Sequence, residues 1–261
     1  MIGTKKNIPV LMYHRIANMD EREASKYVVD SKTFREQLRY FSEQGYTTLK
    51  LGDLLGDSNG DSAPQRKPLL ITFDDGYLDT FENALPALRD FGYSAIVFVV
   101  ADLSRRNNWW DAPKQIAEAR LMEPKHMIEM NKHGIEFGSH GITHRSLPLL
   151  SNSDLELELH KSKTIIEEVL EQPVPYFAYP YGEVDDRVKN ATISSGYDCA
   201  FASNSGPLSF HSDLFEIRRV LVANFSNPAY LFWKLSGLSK TVKWGEWIGK
   251  KVIGKQPAYT L

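Results

Sequence analysis

Two short stretches concentrate the side chains that can do chemistry. In ITFDDGY, residues 71 to 77, an apolar run ends in adjacent carboxylates, Asp74 and Asp75. In GSHGITH, residues 138 to 144, His140 and His144 stand four apart after a second apolar run, a spacing that puts both imidazoles on one side of a helical turn. Two neutral imidazoles and one carboxylate make a three-ligand set for Zn²⁺ or a similar divalent ion, with a position open to water. The remaining carboxylate is then free to take that water's proton. Each stretch also has a plainer reading. Asp-Asp-Gly is good turn chemistry, and a histidine pair at this spacing can be two unrelated surface residues.

Neighbouring side chains on a strand point to opposite faces, so two adjacent acids can serve one site only where the strand ends. The rest of the chain supplies such ends. IPVLMY, PLLITF, SAIVFVV, GIEFGS, PYFAY and FEIRRVLV read as strands, and they alternate with helical patterns from one end to the other. That alternation predicts βα units around a mostly parallel sheet, whose C-terminal strand ends gather at one face. SKTFREQLRYFSEQG and DTFENALPALRDFG carry apolar residues at helical spacing and stop at Gly45 and Gly92, each a plausible cap. A long helix is expected over SNSDLELELHKSKTIIEEVLEQ, capped by Ser151 or Ser153, and GDSNGDSAPQRKP reads as an exposed loop. FAYPYG, residues 177 to 182, adds a third strand end, where Pro180 and Gly182 can bend the chain so that a backbone N–H enters the site. In NNWWDAP, residues 107 to 113, Trp109, Trp110 and Asp111 could form a platform for a sugar ring, or the tryptophans could simply pack the loop down.

In this order, ITFDDGY, GSHGITH and FAYPYG resemble the first three motifs of the polysaccharide deacetylase family, the metal-dependent carbohydrate esterases. The resemblance spans about residues 8 to 222. It implies a distorted (β/α) barrel, with residues 1–225 as the catalytic domain and 226–261 as a basic amphipathic tail of the same domain. Carried over by position, it makes Asp74 the catalytic base, Asp75, His140 and His144 the ligands of a divalent metal, most readily Zn²⁺, and Tyr181 the residue whose backbone N–H holds the oxyanion. Two departures stand out. The arginine that steadies the base in the third motif is replaced by Ala178, and the late leucine-x-histidine motif is missing, His211 being the only histidine after 160. VLMYHRI, residues 10 to 16, resembles the permuted branch that includes the poly-N-acetylglucosamine deacetylases. There an N-terminal histidine, here His14, supplies the general acid, and a late strand supplies the arginine, here Arg219 or Arg218. Trp110, Asp111 and Tyr179 are the candidate substrate contacts. The resemblance implies removal of N-acetyl groups from an amino-sugar-containing glycan or a lipid-linked sugar. Deformylation, cyclic-amide hydrolysis and a carbohydrate-binding protein without catalysis are the alternatives.

With 31 basic against 33 acidic residues and a net charge of -2, nothing global points to nucleic acid as a partner. The single cysteine, Cys199, excludes an internal disulfide, and MIGTKKNIPVLMYH lacks the apolar stretch of a signal peptide, so a cytoplasmic location is expected. The segment from Ala229 to Leu261 interleaves lysines with Trp233, Trp244, Trp247, Ile248, Val252 and Ile253. It reads either as an interfacial helix resting on the inner membrane surface or as a closing barrel helix whose lysines are solvated. Co-sedimentation with anionic liposomes separates the two. Salt-sensitive binding that is lost on truncation after Leu238 would establish the membrane reading, and equal behaviour of both chains would remove it.

Overall fold

The computed structural model describes residues 8–18, 25–52, 67–114, 117–203, 213–224, 226–228 and 230–231. Its strands are β1 (Val10–Tyr13), β2 (Arg15–Ile16), β3 (Val28–Val29), β4 (Tyr46–Thr48), β5 (Lys67–Phe73), β6 (Ile96–Val99), β7 (Glu136–Ser139), β8 (Tyr176–Ala178), β9 (Cys199–Ala202), β10 (Ile217–Arg218) and β11 (Val220–Leu221). Its helices are α1 (Ser31–Glu43), α2 (Leu85–Phe91), α3 (Pro124–Lys132), α4 (Asn152–Leu170) and α5 (Asp186–Ser194). Eight strands follow one another in the order β10-β9-β8-β7-β6-β5-β1-β11, with β4 beside the start of β5 and β2–β3 forming a separate ribbon. Every pairing between these strands is parallel. The two ends of this order, β10 and β11, are consecutive in the chain with only Arg219 between them. Ile217 and Arg218 pair with Phe201 and Ala202 of β9, whereas Val220 and Leu221 pair with Leu11 and Met12 of β1. The sheet thus curls into a nearly closed barrel whose seam is a single residue.

FEIRRVLV was expected to be one strand. It is two because it must leave one barrel edge and join the other within five residues, and the switch falls at Arg219. DTFENALPALRDFG also departs from a uniform helix. Thr80–Ala84 is a π-helical turn, and α2 proper begins at Leu85. Pro86 has no N–H to continue an α-ladder, which accounts for the change of pitch before it. Gly92 caps α2 in the left-handed conformation, while α1 is capped by Gln44, one residue before Gly45. At the other end of α1, the Asp30 carboxylate accepts from the N–H groups of Lys32 and Thr33, and Ser151 caps α4 in the same way through Asp154. The loop expected at GDSNGDSAPQRKP lies outside the described residues except for Lys67 and Pro68, which open β5. His211 and the tail beyond Leu231 also lie outside them.

Alternation along the strands sorts the side chains into two shells. Leu11, Tyr13, Ile71, Phe73, Val97 and Val99 pack with Phe34, Leu38, Leu88 and Met130 of the surrounding helices. Val10, Leu70, Ile96, Phe98, Tyr176, Cys199, Phe201 and Ile217 form a second cluster inside the barrel. Full burial of one such side chain contributes about 1.5–3 kcal/mol, so both shells hold the strand ends firmly. Among the described residues, no helix is long and apolar enough to cross a membrane.

Candidate active site

The C-terminal rim of the barrel gathers the chemistry-bearing residues. His14 follows β1, Asp74 and Asp75 follow β5, His140 and His144 follow β7, Tyr181 follows β8, and Arg219 sits at the seam. The inward alternation of Leu70 and Thr72 carries Asp74 to the inside, where Arg219 meets it as a fork. Nη1 donates to Asp74 Oδ1 at 2.6 Å and Nη2 to Oδ2 at 2.8 Å. Arg219 also reaches Thr72 Oγ1 and the Ala202 carbonyl, both at 3.3 Å, and its guanidinium lies 5.5 Å from the ring centre of Phe98 and 5.9 Å from that of Phe201. Its side chain has no solvent exposure. Burial pushes the Asp74 carboxyl up, but Arg219, His140 and His14 together outweigh it and hold the group below its ordinary value. Of the two arginines in IRRV, Arg219 makes these contacts and Arg218 is exposed.

Asp75 enters the same cavity through a backbone device. Its φ of 74°, followed by 78° at Gly76, turns the chain away from extended geometry, so its carboxylate need not point opposite to that of Asp74. Asp75 Oδ1 lies 3.5 Å from His140 Nε2 and 3.2 Å from His144 Nε2. Neither contact is a well-directed hydrogen bond, and Oδ1 is buried without a partner. Burial raises the Asp75 carboxyl and the facing histidines, His144 foremost, bring it below the normal range.

The two histidines are oriented by different means. His140 Nδ1 sits 2.7 Å from the Ala178 carbonyl. A carbonyl only accepts, so Nδ1 carries the proton and Nε2 keeps its lone pair toward Asp75. Burial lowers the His140 pKa to about 4 against the opposing pull of Asp74, which leaves a neutral imidazole at neutral pH. His144, with φ 55°, is held by rings. Trp110 stacks on it at 4.9 Å and 22°, and Tyr181 meets it edge-on at 4.7 Å. One ligand atom from each of Asp75, His140 and His144 lies within 4.8 Å of the others, and all three residues are buried. An orphaned carboxylate oxygen facing two imidazole nitrogens is a donor set that fits Zn²⁺ or a similar cation.

His14 stands beside Tyr27, with ring centres 4.6 Å apart and Nδ1 buried without a hydrogen-bond partner. It lies close enough to both aspartates to lower their pKa values. Tyr181 adopts φ 60° and ψ 0° between Pro180 and Gly182. Asp111 is buried and accepts from Asn108 Nδ2 at 3.1 Å. Tyr179, expected to touch substrate, is instead a core residue. It is fully buried in the cluster of Phe177, Val188 and Tyr197, and its hydroxyl donates to the Phe215 carbonyl at 2.9 Å. Sequence reasoning passed over Glu158, whose carboxylate takes the backbone N–H groups of Ile142 and Thr143. The signal was present, since Leu155, Glu158, Leu159, Ser162 and Ile166 form the buried stripe of α4 and one of them is an acid. Tyr77 was also missed, a buried phenol whose pKa is raised by burial and by the nearby Asp75 and Asp111 carboxylates.

Comparison with known proteins points to one family. The family model described as polysaccharide deacetylase matches residues 61–200. The Bacillus subtilis (strain 168) protein YxkH is 28% identical over 224 residues, covering 85% of this chain and 74% of that protein. The poly-beta-1,6-N-acetyl-D-glucosamine N-deacetylase of Escherichia coli (strain K12) is 24% identical over 248 residues, covering 81% of this chain but only 36% of that enzyme. Among solved structures, the Streptococcus pyogenes deacetylase PplD in complex with acetate superposes with a TM-score of 0.75 at 26% identity, over 86% of this chain and 96% of that one.

The Arg219–Asp74 pair makes a measurable demand on stability. Arg219→Ala leaves a carboxylate buried without its counter-charge and is expected to cost about 3–5 kcal/mol, read by denaturant titration of metal-free protein at neutral pH. A loss below about 1 kcal/mol, the level of an exposed ion pair, would contradict the buried-pair account.

Proposed function

Because the chain belongs to the polysaccharide deacetylase family, we propose that it hydrolyses N-acetyl groups on an amino-sugar-containing glycan or glycan precursor, using a divalent cation. The observation that carries this reading is the contrast between neighbours. Asp74 is held on both oxygens by Arg219, while Asp75 Oδ1 has no donor and faces two imidazole nitrogens. Asp75, His140 and His144 would hold the cation, for which Zn²⁺ suits the two-nitrogen, one-oxygen set. When bound, it supplies Lewis acidity that polarises the acyl carbonyl and eases deprotonation of water.

The chain's own residues then divide the proton work. Asp74, kept anionic at neutral pH by Arg219, takes a proton from the attacking water on a lone pair the fork leaves free. Arg219 fixes the direction of that carboxylate and keeps it from turning toward the histidines. The Tyr181 backbone N–H would donate to the oxygen that gains charge as the carbonyl carbon becomes tetrahedral. His14 would protonate the departing nitrogen as the C–N bond breaks, giving acetate and a free amino sugar. Trp110 closes one wall of the site by its stack on His144, and the half-buried face it keeps suits the C–H face of a pyranose ring.

Acetate release from N-acetylglucosamine oligomers tests the reading. It should be abolished by a chelator and restored by Zn²⁺, and release of formate from N-formylated sugars in its place would move the reading to deformylation. His14→Ala should lower kcat about 10²- to 10⁴-fold with Zn²⁺ content unchanged. A wild-type rate in that variant would assign the acid elsewhere.

A further inference from the structure

The turn that carries both histidines is hydrogen-bonded from two sides. The carbonyls of Gly141 and Ile142 accept from the N–H groups of Ala101 and Asp102 at 2.9 and 3.1 Å. The N–H groups of Ile142 and Thr143 both donate to Glu158 Oε2, at 2.6 and 3.1 Å, and the Thr143 hydroxyl donates to Oε1. Glu158 is 4% exposed, and among the described residues its one ion-pair contact is with the half-exposed Arg145, 4.0 Å away. A buried carboxylate without a close counter-ion is costly unless its lone pairs are used, and here the turn uses them. The turn also needs that support, because it opens on Gly141 at φ 77° and ends on His144 at φ 55°, left-handed geometry that a non-glycine residue adopts at a cost. A Cβ at Gly141 would sit 3.0 Å from Glu158 Oε2, a tight contact to which the carboxylate would have to yield.

We propose that Glu158 is a positioning residue for the metal site, fixing from α4 the turn that sets His140 and His144 at one separation before a cation arrives. This rests on the metal reading above and adds a residue that touches neither cation nor substrate. The carboxylate acts through where its oxygens sit, more than through its charge. Both backbone N–H groups go to the same oxygen, so a glutamine with its carbonyl in that place keeps them, and the Thr143 hydroxyl can accept from the amide nitrogen where it now donates. Glu158→Gln should therefore bind nearly as the natural chain does. Glu158→Leu fills the apolar stripe of α4 but leaves two part-buried N–H groups without their acceptor, and Glu158→Ala does the same with a cavity.

The test is the Zn²⁺ affinity of metal-free protein, measured by competition with a chromophoric chelator, with the metal-free melting temperature recorded alongside. Glu158→Leu and Glu158→Ala should bind Zn²⁺ about 10- to 100-fold more weakly, the range found for supporting partners of metal ligands, and Glu158→Gln within about threefold of the natural chain. Thr143→Val, which removes one donor and leaves the helix untouched, should lose about threefold and serves if the apolar variants do not fold. Natural affinity in the leucine, alanine or valine variants overturns the proposal, and so does a tenfold loss in the glutamine variant. If the unaltered chain binds no Zn²⁺, it is the metal reading itself that fails.

Discussion

The fork between Arg219 and Asp74 is the interaction around which the site is organised. It joins the residue that follows one barrel strand to the seam where the sheet meets its own first strand, so closing the barrel and fixing the carboxylate are one event. The guanidinium is entirely buried against Phe98 and Phe201 and spends its donors on Asp74, Thr72 and the Ala202 carbonyl. A pair this deep gains little net stability over an apolar equivalent, yet losing either partner strands a charge. What it secures is geometry. Asp74 cannot approach the histidines while both its oxygens are engaged, and that leaves Asp75 alone to face them.

The second constraint is backbone conformation. Asp75, His144 and Tyr181 all have positive φ, and among the described non-glycine residues only Glu171, at the end of α4, shares that property. Strain of this kind persists where surroundings over-determine it. Here the surroundings are visible: the hydrogen-bonded turn held by Glu158, the rings of Trp110 and Tyr181 around His144, and the Pro180–Gly182 bend. The helices and the inner cluster of the barrel supply the burial that keeps these three residues in place.

Much of this was legible in the sequence, and the failures have physical causes. The strands stood out because a parallel sheet covered on both faces reads as apolar runs, and ITFDDGY and GSHGITH announced the acids and histidines by type and spacing. The sequence could not say that Asp75 turns inward, because φ is a property of the folded turn and Asp is only tolerant of it. Arg219 was picked by resemblance, but its path depended on a strand changing partners in mid-course, which no periodicity records. Glu158 was overlooked because an acid in a helix is normally solvent-facing, and only its place in a buried stripe marked it. Tyr179 was misplaced for the opposite reason: beside a site in sequence, it follows β8 and packs into the core with Phe177.

Adjacent carboxylates with contrary surroundings have contrary jobs. Metal content of purified Asp74→Asn and Asp75→Asn proteins, measured with acetate release by the same samples, tests it most directly. Asp74→Asn should retain Zn²⁺ at the level of the unaltered chain and lose most of its rate, whereas Asp75→Asn should lose the metal and the rate together. An Asp74→Asn protein as metal-poor as Asp75→Asn, or an Asp75→Asn protein that keeps its metal, would contradict the division.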